Sequence, residues 1–309
     1  PLFFLMIRRP PRSTLFPSTT LFRSRKLDEK YETTAIADAG IASEKIVLGG
    51  ENILPFYTFD APVENAPKVG GESTDSGLEN EPECVKKYYE GCETVADMAK
   101  RAASFEGVDF LSFRMDGGDP NGANKSTEEL IAMLKEIVAA VDLPLVVCGC
   151  KHAEKDAELL SKAAEAVDGR NALILAAKEE NYKQVGAAAG LAYKQVVGAE
   201  SAVDINLAKQ LNVLLTQLGV DGKSIVMNVG SAAAGYGFEY AVSTMDRVKA
   251  AALAQGDATL QMPIITPVAS EAWGVKEAMA SEADMPEWGR SEEHTSELQS
   301  HHDIVCRLL

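Results

Sequence analysis

A chain of 309 residues with 46% apolar side chains can enclose a sizeable core, as one large α/β domain or two small ones. Its formal charge of −16 argues against general affinity for nucleic acid, because phosphate contact needs clustered Lys and Arg. No interior run approaches the roughly 20 apolar residues that span a bilayer, so a membrane is not an expected partner either.

Residues 1–24 (PLFFLMIRRPPRSTLFPSTTLFRS) carry four Arg and no acid, and Pro10, Pro11 and Pro17 interrupt any helix there. The apolar run precedes Arg8 and Arg9 and no small-residue cleavage site follows, which does not fit a secretory signal. LFPSTTLFRS here and RSEEHTSELQSH within residues 290–309 resemble translated sequencing-adapter DNA. Both ends are therefore expected to stand outside the fold, with genuine disordered tails as the alternative. Cys84, Cys92, Cys148 and Cys150 lack disulfide-framework spacing, which suits a reducing cytoplasm.

Along the chain, residues 45–50 (KIVLGG) predict a strand or hairpin within an extension over residues 25–66, and residues 67–71 (PKVGG) a weaker strand. Pro55, Pro62 and Pro67 keep the stretch between them extended or turned. From about residue 105, short β-branched runs alternate with segments of helical period. The strands are expected at 108–115, 145–149, 173–176, 195–198, 224–228 and 263–268. Helices are expected at 127–141, 153–167, 178–191, 204–218 and 239–254, with Ser126 and Asp204 as caps. This order predicts an α/β fold of TIM (β/α)8 type over residues 67–289. Six late strands and residues 67–71 make seven, or eight if residues 45–50 join the sheet. Residues 282–288 (EADMPEW) read as a loop leading onward, so the last βα unit is expected to be missing.

In such a barrel, function sits on the loops after the strands. Residues 116–126 (DGGDPNGANKS) combine acids, amides and glycines, which suits close backbone approach to a ligand and equally an Asx-rich turn capping the next helix. Residues 228–240 (NVGSAAAGYGFEY) leave room above the barrel, but the glycine spacing is too short for a nucleotide fingerprint. Cys148-Gly149-Cys150 beside His152 offers too few ligands for zinc or an iron–sulfur cluster, so the cysteines are expected as small core residues. His152 is the one interior histidine, nothing marks a strained nucleophile, and the late strands hold no Lys for Schiff-base chemistry. Arg114, inside a strand, calls for an acidic partner such as Glu106 or Asp116.

Taken in order, LGGENILPFYTFD (48–60), MDGGDPNGANKS (115–126), PLVVCGC (144–150), ENYK (180–183), DINLAKQLN (204–212), GYGFEY (235–240) and EAWGVKEA (271–278) resemble the small, or delta, subunit of the corrinoid/iron–sulfur protein of the acetyl-CoA synthase/CO dehydrogenase system. The resemblance implies a TIM barrel that pairs with a large, or gamma, subunit, with a corrinoid (cobamide) shared between them. It places the iron–sulfur cluster on the large subunit and none on this chain. It further implies methyl transfer in the reductive acetyl-CoA pathway: cobalt accepts a methyl group from methyltetrahydrofolate and passes it to acetyl-CoA synthase. The methyltetrahydrofolate methyltransferase and acetyl-CoA synthase would be transient partners, and this chain a non-catalytic subunit. By position, the corrin-facing candidates are Asp116, Asp119, Asn121, Asn124, Asn206, Gln210, Asn228, Gly235, Tyr236, Glu239, Thr266 and Glu271, with Trp273 behind them. The enzymatic alternative is a pterin-dependent TIM-barrel methyltransferase acting on a corrinoid, and a third reading is an interaction module that never touches the corrin. Family members continue past the EAW segment into another helix and a last strand, where this chain has its adapter-like tail. The KVGGES and VGSAAA stretches are also blander than the family pattern.

Overall fold

Short β-branched runs can pair in parallel only if each is followed by a segment that carries the chain back to the starting edge, and capped amphipathic helices do that here. The computed structural model describes residues 39–41, 46–51, 65, 67–78, 83–233 and 235–276, so both adapter-like ends and residues 277–289 lie outside the described set. Strands β1 (Ala39–Ile41) and β2 (Ile46–Leu48) form an antiparallel hairpin. A separate parallel sheet contains β3 (Gly70–Thr74), β4 (Phe110–Arg114), β5 (Leu145–Cys148), β6 (Leu173–Ala177), β7 (Val196–Glu200), β8 (Ile225–Asn228) and β9 (Ile264–Ile265), ordered in space as in the chain. This is a TIM-type α/β barrel, open between β3 and β9 among the described residues.

The connecting helices are α1 (Glu83–Tyr88), α2 (Val95–Ala103), α3 (Thr127–Ala140), α4 (Ala153–Ala166), α5 (Tyr182–Val185), α6 (Ile205–Leu218), α7 (Phe238–Ala254) and α8 (Val268–Trp273). Ser126 caps α3 by accepting the Glu129 N–H, and Asp204 caps α6 by accepting those of Asn206 and Leu207. One expected helix, 178–191, forms differently. Its first residues make a turn in which the Lys178 N–H donates to Asn181 Oδ1 (2.8 Å), and a π-helical stretch, Gly186–Ala192, replaces its second half. Gly186 and Gly190 pack there against Leu215, Leu218 and Val220, an approach that a Cβ at either position would block. Residues 45–50 supply β2 of the hairpin and not a barrel strand, so the parallel sheet has seven described strands. The first of these is displaced from 67–71 to Gly70–Thr74, because Pro67 has no N–H to give a ladder while residues 70–74 pair in register with residues 110–114.

Alternation along the strands sorts the core into two sides. Leu111, Phe113, Val147, Ile174, Val197 and Met227 face the helices. Phe110, Val146, Leu173, Val196 and Val226 face the barrel bore at its N-terminal end, where Ile41, Ile46 and Leu48 of the hairpin pack onto them. Ile41 is fully buried, a burial that contributes about 2–3 kcal/mol, and β1 also lies against the turn Gly222–Ser224 that precedes β8. The hairpin thus seals the floor of the bore. A buried clasp follows it: the Glu51 N–H donates to Gln261 O (3.0 Å), and the Glu51 carboxylate pairs with Lys249 Nζ of α7 at 3.3 Å.

Candidate functional site

Above the apolar floor, the inward positions of the strands turn polar. Period-two alternation carries Glu72 and Thr74 of β3, Ser112 and Arg114 of β4, Cys148 of β5, Glu200 of β7 and Asn228 of β8 onto the bore wall near its C-terminal mouth. Arg114 donates to Glu72 Oε1 (2.7 Å) and to Asp116 Oδ2, a guanidinium between two carboxylates that hold it firmly protonated. Burial raises the Glu72 carboxyl while Arg114 pulls it down. Cys148 Sγ lies 3.4 Å from Ser112 Oγ, and burial pushes its thiol up to about 12. That cysteine is no thiolate nucleophile at neutral pH.

The rim is laced by longer contacts. Lys178 Nζ, just past β6, sits 3.4 Å from Glu200 Oε1 and donates to Lys151 O at 3.3 Å. Lys151, held at a φ of 69°, reaches Glu271 Oε1 of α8 at 3.2 Å, joining the loops after β5 and β9 across the mouth. Beneath the rim, Asp75 accepts the Gly117 N–H (2.9 Å) and pairs with Lys125 Nζ (2.9 Å). A Cβ at position 117 would lie 2.2 Å from Asp75 Oδ2, so this close approach requires glycine. Asp156 clamps the next loop in the same way, accepting the Cys150 N–H at 2.7 Å, and burial raises its carboxyl. Among the described residues no group of three or more His, Cys, Asp and Glu side chains is placed to hold a metal ion, and no helix is long and apolar enough to cross a membrane.

A family model described as the CO dehydrogenase/acetyl-CoA synthase delta subunit matches residues 38–289. The chain belongs to that family. It is 32% identical over 275 residues to the acetyl-CoA decarbonylase/synthase complex subunit delta of Archaeoglobus fulgidus, covering 86% of this chain and 60% of the relative. Subunit delta of Methanothermobacter thermautotrophicus is 33% identical over 76% of this chain and 59% of its own length, and subunit delta 2 of Methanosarcina acetivorans 31% identical over 83% and 59%. The chain spans about 60% of the length of these curated relatives. Two solved dihydropteroate synthase structures from Xanthomonas albilineans, with 7,8-dihydropteroate and with 4-aminobenzoic acid, are similar at 16% identity over 79% of this chain. They are covered to 84% and 85%, with TM-scores of 0.43 and 0.46.

In this delta-subunit barrel the residues singled out from sequence fall into two groups. Asp116 pairs with Arg114 at the bore mouth, Asn228 stands on the bore wall accepting the Gly230 N–H, Thr266 is half-buried just past β9, and Glu271 makes the cross-mouth pair with Lys151. The others lie on the loops and helices that follow the strands. Asp119 accepts the Asn121 N–H (2.9 Å) and its Nδ2 (3.2 Å) in an Asx turn, beside exposed Asn124 at a φ of 49°. Asn206 and Gln210 are exposed on α6, and Gly235, Tyr236 and Glu239 are exposed before and within the first turn of α7. Arg114 pairs with Asp116 as expected, whereas Glu106 is exposed and the second partner is Glu72. Glu72, Asp75, Lys178 and Glu200 were not anticipated. A charged residue on the inward period of a strand is the signal that could have flagged Glu72 and Glu200.

Proposed function

We propose that the chain holds a corrinoid across the barrel mouth and, with a large iron–sulfur subunit, carries a methyl group from methyltetrahydrofolate to acetyl-CoA synthase. The observation that carries this reading is a bore closed at its floor beneath an amide-rich rim. The hairpin closes the floor, and the Glu72–Arg114–Asp116 network occupies the upper layer, so a large macrocycle has to lie over the loops. Exposed Asn121, Asn124, Asn206 and Gln210 offer donors and acceptors to an amide-bearing rim, and Tyr236, 58% exposed, offers a flat apolar face. These residues fit the group. Bound there, the corrinoid would supply the cobalt centre that takes up and releases the methyl group. This chain would orient it and shield one face, with the cluster carried by the large subunit.

Co-expression of the parent protein with its large subunit, followed by loading with hydroxocobalamin, tests this directly. Asn121→Ala with Asn206→Ala should lower corrinoid retention in the heterodimer several-fold; unchanged retention would favour an interaction module that never touches the corrin. Methyl transfer from methyltetrahydrofolate to free cobalamin by the parent protein alone would instead favour the pterin-dependent methyltransferase.

A further inference from the structure

Asn228 is an inward-facing amide whose NH₂ group meets no acceptor among the described residues. Its Oδ1 accepts the Gly230 N–H at 3.0 Å, which fixes the orientation of the amide and assigns Nδ2 as the remaining group. The residue is 5% exposed. Nδ2 is not among the atoms sealed away from solvent, so it faces an accessible part of the bore wall where a ligand acceptor can take the place of water. Its position two residues beyond Val226, a floor residue of the bore, directs it into the bore.

The adjacent strand supplies the complement. Glu200 is the register partner of Asn228, so the two side chains stand next to each other on the bore wall. Glu200 Oε1 is engaged by Lys178 at 3.4 Å, which leaves its second oxygen open among the described residues. A donor beside a carboxylate acceptor matches a carboxamide, whose carbonyl oxygen accepts from Asn228 Nδ2 while its N–H donates to Glu200. On the other side of Asn228, its register partner Ile265 offers a half-buried apolar surface for a methylene stem.

We infer that Asn228 and Glu200 form a subsite for a carboxamide group reaching down from the barrel mouth. This rests on the corrinoid reading, since a corrinoid carries amide side arms; the amide edge of a pterin ring presents the same donor and acceptor pair. The test uses the full parent protein assembled with its large subunit, with hydroxocobalamin and 5-methyltetrahydrofolate as probes. Asn228→Asp keeps the acceptor for the Gly230 N–H and replaces the donor. It should weaken hydroxocobalamin binding by the folded complex at least about fivefold. Hydroxocobalamins with one amide arm hydrolysed to the acid provide an arm that does not depend on how that variant folds. One of them should bind the wild-type complex about tenfold more weakly, and Glu200→Gln should restore it. Weakened 5-methyltetrahydrofolate with unchanged corrinoid binding would keep the subsite and name a pterin as its source. If both probes bind wild type and neither responds to Asn228→Asp, the subsite is wrong and the functional reading survives. A wild-type complex that binds neither probe overturns both.

Discussion

Replacing Glu51 with Gln should flatten the stability profile between acid and neutral pH. Glu51 is 2% exposed and pairs at 3.3 Å with Lys249, itself 6% exposed; burial pushes the carboxyl from 4.5 up to about 7, with Lys249 pulling the other way. A carboxyl raised in the folded state binds its proton more tightly there than in the unfolded chain. Its contribution is therefore fully present below the unfolded value and is lost as pH rises through the folded one. A rise of this size corresponds to roughly 3 kcal/mol. Between pH 4.5 and 8, wild type should lose about 3 kcal/mol relative to Glu51→Gln, whatever constant offset the lost ion pair adds. Urea denaturation followed by far-UV circular dichroism, repeated across that range, measures the difference, and hydrogen exchange at β1 and β2 reports whether the floor hairpin loosens with it. Parallel profiles for the two proteins would refute the reasoning, because they would mean that the carboxyl titrates alike in the folded and unfolded chains.

Arg114→Met leaves Glu72 and Asp116 facing each other without their cation. Since all three side chains keep some contact with solvent, the cost is discounted to about 2 kcal/mol at pH 7, and it should shrink at pH 5 as the raised Glu72 carboxyl protonates; urea denaturation at both pH values checks this. Asp75→Asn keeps an acceptor for the Gly117 N–H but removes the charge paired with Lys125, so amide exchange in residues 115–126 should accelerate by about tenfold, a loss of about 1–2 kcal/mol of local protection. Unchanged exchange there would mean that Asp75 does not hold the loop.

Much of the barrel was legible because its signals are local. Residues 108–115 announce a strand by β-branched and aromatic content and deliver Phe110–Arg114, and Ser126 announces α3 by its position before Glu128 and Glu129. The π-helical stretch after Val185 was not legible: Gly186 and Gly190 there pack against residues some 30 positions later, and no local pattern announces such a contact. Around the candidate site, the amide-rich loops were visible as composition. The ion network beneath them was not: Glu72 lies in a weak strand, and nothing near it in sequence marks Arg114 as its partner.

The sequence by itself determined most of the strands and helices and where Ser126 and Asp204 cap them, because period, capping and turn chemistry act over a few residues. Only the tertiary structure decided that residues 45–50 serve the floor and not the sheet, that Glu72 and Asp116 share Arg114, that Asp75 grips Gly117 and that Asn228 stands beside Glu200. Those pairings are set by register between strands tens of residues apart, and a parallel sheet fixes its register only when its strands pack against their helices.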